Sequence, residues 1–253
     1  MDISKAIFLG ILQGLTEFLP ISSSGHLLLF QRIFKLNPDI SFIVYLHLGT
    51  TFSLIFFLFT LIKKEIKDRN YSLLLKIVIA LIPITIIGLI FKNKIERTFS
   101  NFHILAYFFL ISAFLIFFTK YVKEKFSHFN YFQALIVGLF QSLGVFPGIS
   151  RSGSTIAGAL YLGIKKEESF YFSFLLGLPT IIGANFLEFY KKTTLLFSLS
   201  YLLGFLFSFI FGLLALYLLK ALVIKRKFYY FSYYLFFLFI LLLVDNLKIL
   251  RIF

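Results

Sequence analysis

The chain has 253 residues, 60% of them hydrophobic and only 14% charged, with a mean hydropathy of +0.95. A soluble core of this length cannot hide so much apolar surface, which excludes a soluble domain and leaves a polytopic membrane protein. The net charge of +14 suits anionic headgroups or an anionic substrate, its scatter in short stretches between apolar runs argues against nucleic acid as a partner, and the lack of cysteine excludes disulfide and thiolate chemistry.

The N-terminus has no basic segment ahead of its apolar stretch, and Gln13 and Glu17 interrupt that stretch, so it does not read as a signal peptide. Residues 3–18 read as a helix too short to cross about 30 Å of hydrocarbon. Pro20 and Gly25 bracket a break, and a second short helix is expected over about 23–34. Two short helices around a polar turn predict a re-entrant hairpin; the competing reading is one kinked helix over 3–34. Full spans follow at about 40–62, 72–91 and 102–119, with Pro83 predicting a bend inside the second. The plan then repeats: a short helix at 131–145, a turn over Pro147 to Gly153, a short helix at 152–163, and spans at 168–190, 195–220 and 229–247.

The two turns are copies of each other. Sliding Gln13 onto Gln141 without a gap carries Gly10 onto Gly138, Leu15 onto Leu143 and Phe18 onto Phe146, and carries Ile21, Ser22, Ser24 and Gly25 onto Ile149, Ser150, Ser152 and Gly153. The expected fold is therefore all-α: one integral membrane domain over 1–253, with repeat halves 1–125 and 126–253, six transmembrane helices and two re-entrant hairpins. Three spans per half is odd, so the halves must be inverted, with both tips converging at mid-membrane depth. If the termini define one side, the opposite side holds more of the Lys and Arg and is assigned to the cytoplasm.

Where the copies differ, the differences are chemical. The first brings Glu17 and His26, the second Arg151. Gln13 and Glu17, four apart, share a helix face near the tip. A carboxylate inside an apolar segment is costly and marks function; the plainer reading is a structural ion pair with Arg151. Ser22, Ser23, Ser24 and Gly25 can cap the second short helix and aim its N–H groups at the tip, and Ser150, Ser152 and Gly153 can do the same in the other copy, which suits an anion. The fork of Arg151 fits a pair of phosphate oxygens. His26 adjoins the tip and is a candidate nucleophile, general acid/base or orienting group, while His47, His103 and His128 are left as structural.

Gln13-x-x-x-Glu17, the Pro20 to His26 run and the Pro147 to Gly153 run together resemble the undecaprenyl-diphosphatases of the bacitracin-resistance type. Leu46-His47-Leu48-Gly49 and the segment Ser173 to Pro179 are similar to that family as well, and the likeness covers nearly the whole chain. It implies a multi-pass enzyme of the bacterial plasma (inner) membrane, its site open to the outer side, removing the terminal phosphate of a polyprenyl diphosphate lipid during cell-wall synthesis. It also implies a divalent cation, Mg²⁺ or Ca²⁺, with Glu17 the candidate ligand, and a homodimer is the assembly to test. The resemblance puts catalysis on Glu17, His26, Arg151 and Ser23. Gln13, Ser22, Ser24, Gly25, Ser150, Ser152 and Gly153 become substrate neighbours. Gln13 stands where many relatives carry Glu, which questions a two-carboxylate metal site. The nucleophile is left open between His26, a tip serine and water. The rival reading is a lipid flippase or a transporter of a phosphorylated anion, which would use the same inverted repeat.

Overall fold

A computed structural model describes residues 2–35, 40–99, 101–192 and 198–246. Among these residues the fold is helical throughout, with one isolated bridge between Phe126 and Ile164 as its only β pairing. The first hairpin is α1 (Ile3–Phe18) and α2 (Ser23–Ile33). Helices α3 (Ile40–Lys67), α4 (Tyr71–Ile90), the short α5 (Lys92–Phe99) and α6 (Phe102–Phe117) complete the first half. The second hairpin is α7 (Tyr131–Leu143) and α8 (Arg151–Tyr161), followed by α9 (Lys166–Lys192), α10 (Leu199–Ile224) and α11 (Tyr230–Asn246).

The sequence expectation of a break at Pro20 holds, and residues 3–34 are not one spanning helix. Phe8 of α1 meets Phe30 of α2 and Phe34 at its C-cap, so the two run antiparallel as a hairpin. Likewise Phe140 of α7 meets Tyr161 of α8. Among the described residues, five helices are long and apolar enough to cross a bilayer: those over Ser41–Lys67, Tyr71–Ile90, His103–Tyr121, Lys166–Leu187 and Leu199–Ile224. The sixth expected span is α11, with 17 described residues, or about 26 Å of helix. The expected runs 195–220 and 229–247 extend past the described residues at 195–197 and 247, and Lys248 and Arg251, counted in the charge bias, lie outside them. Pro83 and Pro179 both sit inside continuous helices, α4 and α9. The polar stretch after α4, which the sequence marks only as a charged connection, forms α5.

The inversion is visible in which helices run against each other. Two pairs of corresponding spans, α3 with α9 and α6 with α11, pack antiparallel. Phe57 of α3 meets Phe170 at the start of α9, while Thr51 meets Asn185 near its end. Phe117 of α6 meets Tyr233 of α11, while Tyr107 meets Phe239. Each short first helix is held by the other half: α1 packs along α10, and α7 along α4.

Small residues make those crossings close, as lipid-embedded helices require when no hydrophobic effect drives them together. A Cβ on Gly10 would lie 2.7 Å from the Gly204 carbonyl oxygen, and one on Gly14 would lie 2.7 Å from that of Ser208. The repeat-equivalent Gly138 is pressed just as tightly onto the Ala80 backbone. The main apolar core gathers Phe18, Phe109, Phe170, Phe174, Leu216 and Leu235 around the meeting point of the tips.

Away from the tips, Glu124 ties the end of the first half to the second. It pairs with Lys166 at the start of α9 and accepts a longer contact, 3.4 Å, from Arg226 beyond α10. Burial works against its charge, but the Lys166 and Arg226 partners prevail and hold the carboxyl below the usual carboxylate range.

Candidate active site

The tips do not merely approach; they share hydrogen bonds. Ser22 caps α2 by accepting from the Gly25 N–H at 3.3 Å, and the same Oγ accepts from the Gly148 N–H of the other tip at 3.0 Å. Ser152 returns the link, donating to the Phe18 carbonyl at 2.9 Å. Ser150 caps α8 through the Gly153 N–H at 3.0 Å, and its own N–H donates to Ser112 Oγ at 3.3 Å. Two backbone positions have left-handed conformations to make this fit. Ser22 has φ of 71°, a strained value for a residue with a side chain, and Gly148 has φ of 97° with the side chains of Phe108 and Leu105 where a Cβ would go.

In front of this interlock lies a polar cluster. Arg151 opens α8 and Glu17 lies one residue before the end of α1, so the two hairpins alone bring them together. Arg151 Nη2 donates to Glu17 Oε1 at 3.1 Å. Glu17 Oε2 accepts from Ser23 Oγ at 2.6 Å and from Gln13 Nε2 at 3.0 Å. Gln13 Nε2 is also 3.1 Å from His47 Nδ1 on α3, and that imidazole nitrogen is 3.9 Å from Glu17 Oε2. The guanidinium is packed against α9: a Cβ on Gly177 would strike Arg151 Nη1.

A cavity of about 280 Å³ opens beside the cluster, lined among others by Glu17, Arg151, His47, Gly144, Thr180 and Asn185. His47 lies early in α3, while Ile84 and Asn185 of the same cavity lie late in α4 and α9, so the cavity lies toward the membrane face that carries the N-terminus. Asn185 closes one wall by donating to Thr51 Oγ1 at 2.9 Å.

The residues singled out from sequence thus fall into two groups. Glu17, Arg151, Gln13 and Ser23 form the cluster at the cavity. Ser22, Gly25, Ser150, Ser152 and Gly153 lie behind it, buried in the interlock, and Ser24 Oγ sits 3.4 Å from Ser22 Oγ. His26 is also behind it and is 2% exposed. Its Nδ1 meets the Ser22 carbonyl at 2.8 Å, so Nδ1 carries the proton, and Nε2 then accepts from Tyr234 O–H at 2.7 Å. The ring also stacks on Tyr234. Sequence reasoning missed two residues of the site: His47, which lines the cavity and whose only signal was its place in the Leu46 to Gly49 run, and Gly177 in the Ser173 to Pro179 run, which seats the Arg151 guanidinium.

The donor set argues against a cation held by the protein alone. Glu17 is the one carboxylate of the cluster, its charge is already matched by Arg151, and among the described residues no three His, Asp or Glu side chains come together. What the arrangement supplies is a hydroxyl and a carboxylate in hydrogen-bond contact, with a guanidinium beside them, which suits phosphoryl transfer.

Comparison with known proteins agrees with that chemistry. The family model described as bacitracin resistance protein BacA matches residues 6–241. The chain is 46% identical over 235 residues to the undecaprenyl-diphosphatase of Thermosipho africanus, covering 89% of this chain and 93% of the relative. It is 42% identical to that of Methanococcus maripaludis strain C5, covering 88% and 92%, and 36% identical to that of Thermotoga sp. strain RQ2, covering 89% and 93%.

Proposed function

The chain belongs to the bacitracin resistance protein BacA family, and on that premise we propose that it is a membrane phosphatase converting undecaprenyl diphosphate to undecaprenyl phosphate and inorganic phosphate, which returns the lipid carrier to cell-wall synthesis. The observation that carries the reading is the Ser23–Glu17–Arg151 arrangement at the junction of the two tips. A flippase or transporter is not favoured, since the relatives bear the phosphatase name over nearly the whole length.

In this reading Arg151 grips the terminal phosphate and neutralises charge as it transfers. Ser23 Oγ attacks the terminal phosphorus, the anhydride P–O bond breaks, undecaprenyl phosphate leaves, and Glu17 takes the serine proton. Water then attacks the phosphoseryl group, and the proton on Glu17 returns to Ser23 Oγ as phosphate departs. His26, with both ring nitrogens engaged, acts as the orienting group that locks the first tip to α11 rather than as a nucleophile. A divalent cation, Mg²⁺ or Ca²⁺, would have Glu17 as its one protein carboxylate and would supply charge neutralisation to the bound diphosphate, and no step above depends on it. The protein resides in the plasma membrane with the cavity on the outer side, in keeping with the excess of Lys and Arg on the other face. Homodimer formation is part of the proposal and is decided by mass measurement in detergent.

The deciding assay is phosphate release from farnesyl or undecaprenyl diphosphate by the purified protein, with and without chelator. A folded protein that releases none under either condition would sink the proposal. The same assay reads Gly177→Ala, whose added methyl pushes the guanidinium off its seat. The expected loss in kcat/KM is about ten- to a hundredfold with the fold retained, the scale on which small misplacements act. Unchanged kcat/KM would mean that Gly177 does not position Arg151.

A further inference from the structure

We infer that His47 is a substrate-contacting residue, its Nε2–H donating to a phosphate oxygen of the diphosphate. This rests on the phosphatase reading above. Two imidazoles lie near the tips, and the fold treats them oppositely. His26 is 2% exposed, with one nitrogen on a carbonyl and the other on Tyr234. The His47 side chain is 24% exposed and lines the same cavity as Glu17 and Arg151.

Which edge of His47 faces the cavity follows from Gln13. The Gln13 atom 3.0 Å from the Glu17 carboxylate must be the amide nitrogen, because an amide oxygen there would face an oxygen acceptor. That nitrogen carries two hydrogens and also meets His47 Nδ1 at 3.1 Å. Nδ1 is therefore the acceptor, and the ring proton is on Nε2, on the edge turned away from the buried Gln13. The orientation has a cost: it leaves Gln13 Oε1 buried with no hydrogen-bond partner. The amide is held so because its N–H fork bridges carboxylate and imidazole, and the bridge presents one fixed donor to the cavity. An anhydride's leaving group is a phosphate monoester with a last pKa of about 6, so a hydrogen bond suffices and no proton need cross.

The test exploits the geometry of amide replacements. A glutamine side chain places its amide near the former Nε2, an asparagine near the former Nδ1. In phosphate release from undecaprenyl diphosphate, His47→Ala and His47→Asn should each lose about ten- to a hundredfold in kcat/KM, the scale of one hydrogen bond to a charged group. His47→Gln should stay within about threefold of the parent chain, and thermal midpoints should confirm that all three fold. Rescue by Asn instead of Gln would assign His47 to holding Gln13, and full activity of the Ala variant would remove it from the site. Equal failure of all three would show that a donor at that place is insufficient. Each of those results overturns the inference. Absence of phosphate release from the parent chain would instead refute the phosphatase reading itself.

Discussion

Arg151→Lys loses about a hundred- to a thousandfold in kcat for phosphate release, nearly as much as Arg151→Ala, while the protein still folds. Lysine keeps the charge but not the fork. In the resting site Nη2 of the guanidinium donates to Glu17 at 3.1 Å and Nη1 is seated against Gly177 of α9, so the planar group is held in one orientation from which its remaining N–H groups can take a phosphate. A single ammonium can satisfy the carboxylate or the phosphate, not both in one plane. Stopped assays on the purified variants, normalised to folded protein, measure the effect. Lysine activity within tenfold of the parent chain would show that charge alone matters and would remove bidentate recognition from the mechanism.

Glu17→Gln should fall by a comparable or larger factor, about a hundred- to ten-thousandfold, the usual worth of a general base. The substitution keeps the shape and removes the charge that three neighbours share. Ser23 loses the charged, proton-accepting oxygen 2.6 Å away and Arg151 loses its counter-charge in a pocket where Glu17 is only 8% exposed. Some loss of stability accompanies this, because a largely buried guanidinium is left unpaired. Thermal midpoints separate that from the chemical effect. Gln13→Ala, which removes a neutral amide, should be milder. A greater loss for Gln13→Ala than for Glu17→Gln would reverse the assigned roles.

What could be read from the sequence and what could not divide along a physical line. The two breaks were legible because Pro20 and Pro147 interrupt a helix and the serines that follow can cap the next one. Glu17 and Arg151 were legible because charge in an apolar run is costly and must find a partner, whether in an ion pair or at a site. Their meeting followed from the repeat and the odd number of spans. His47 and Gly177 were not legible. Each is ordinary in its own helix, and each acquires meaning only from a partner on a different one: Gln13 for His47, Arg151 for Gly177. The glycines at 10 and 14 likewise announce close packing but not the identity of α10 as the partner. For His26 the sequence showed the right neighbourhood but not that α11 would supply Tyr234 to occupy its second nitrogen.

The hydrogen bond between Ser22 and Gly148 also sets a clock for biogenesis. Its ends are 126 positions apart, which at ordinary synthesis rates is roughly 6 to 25 s of translation. Through that interval the first tip has neither the backbone donor that completes its Ser22 cap nor the α10 surface against which its glycines close. Until the second half is made, Ser22 Oγ lacks the Gly148 donor and Glu17 lacks Arg151, so the first tip cannot reach its final set of contacts. Assembly of the catalytic pocket is thereby a late, post-insertion event, and a chain truncated before residue 148 inserts helices without acquiring a site.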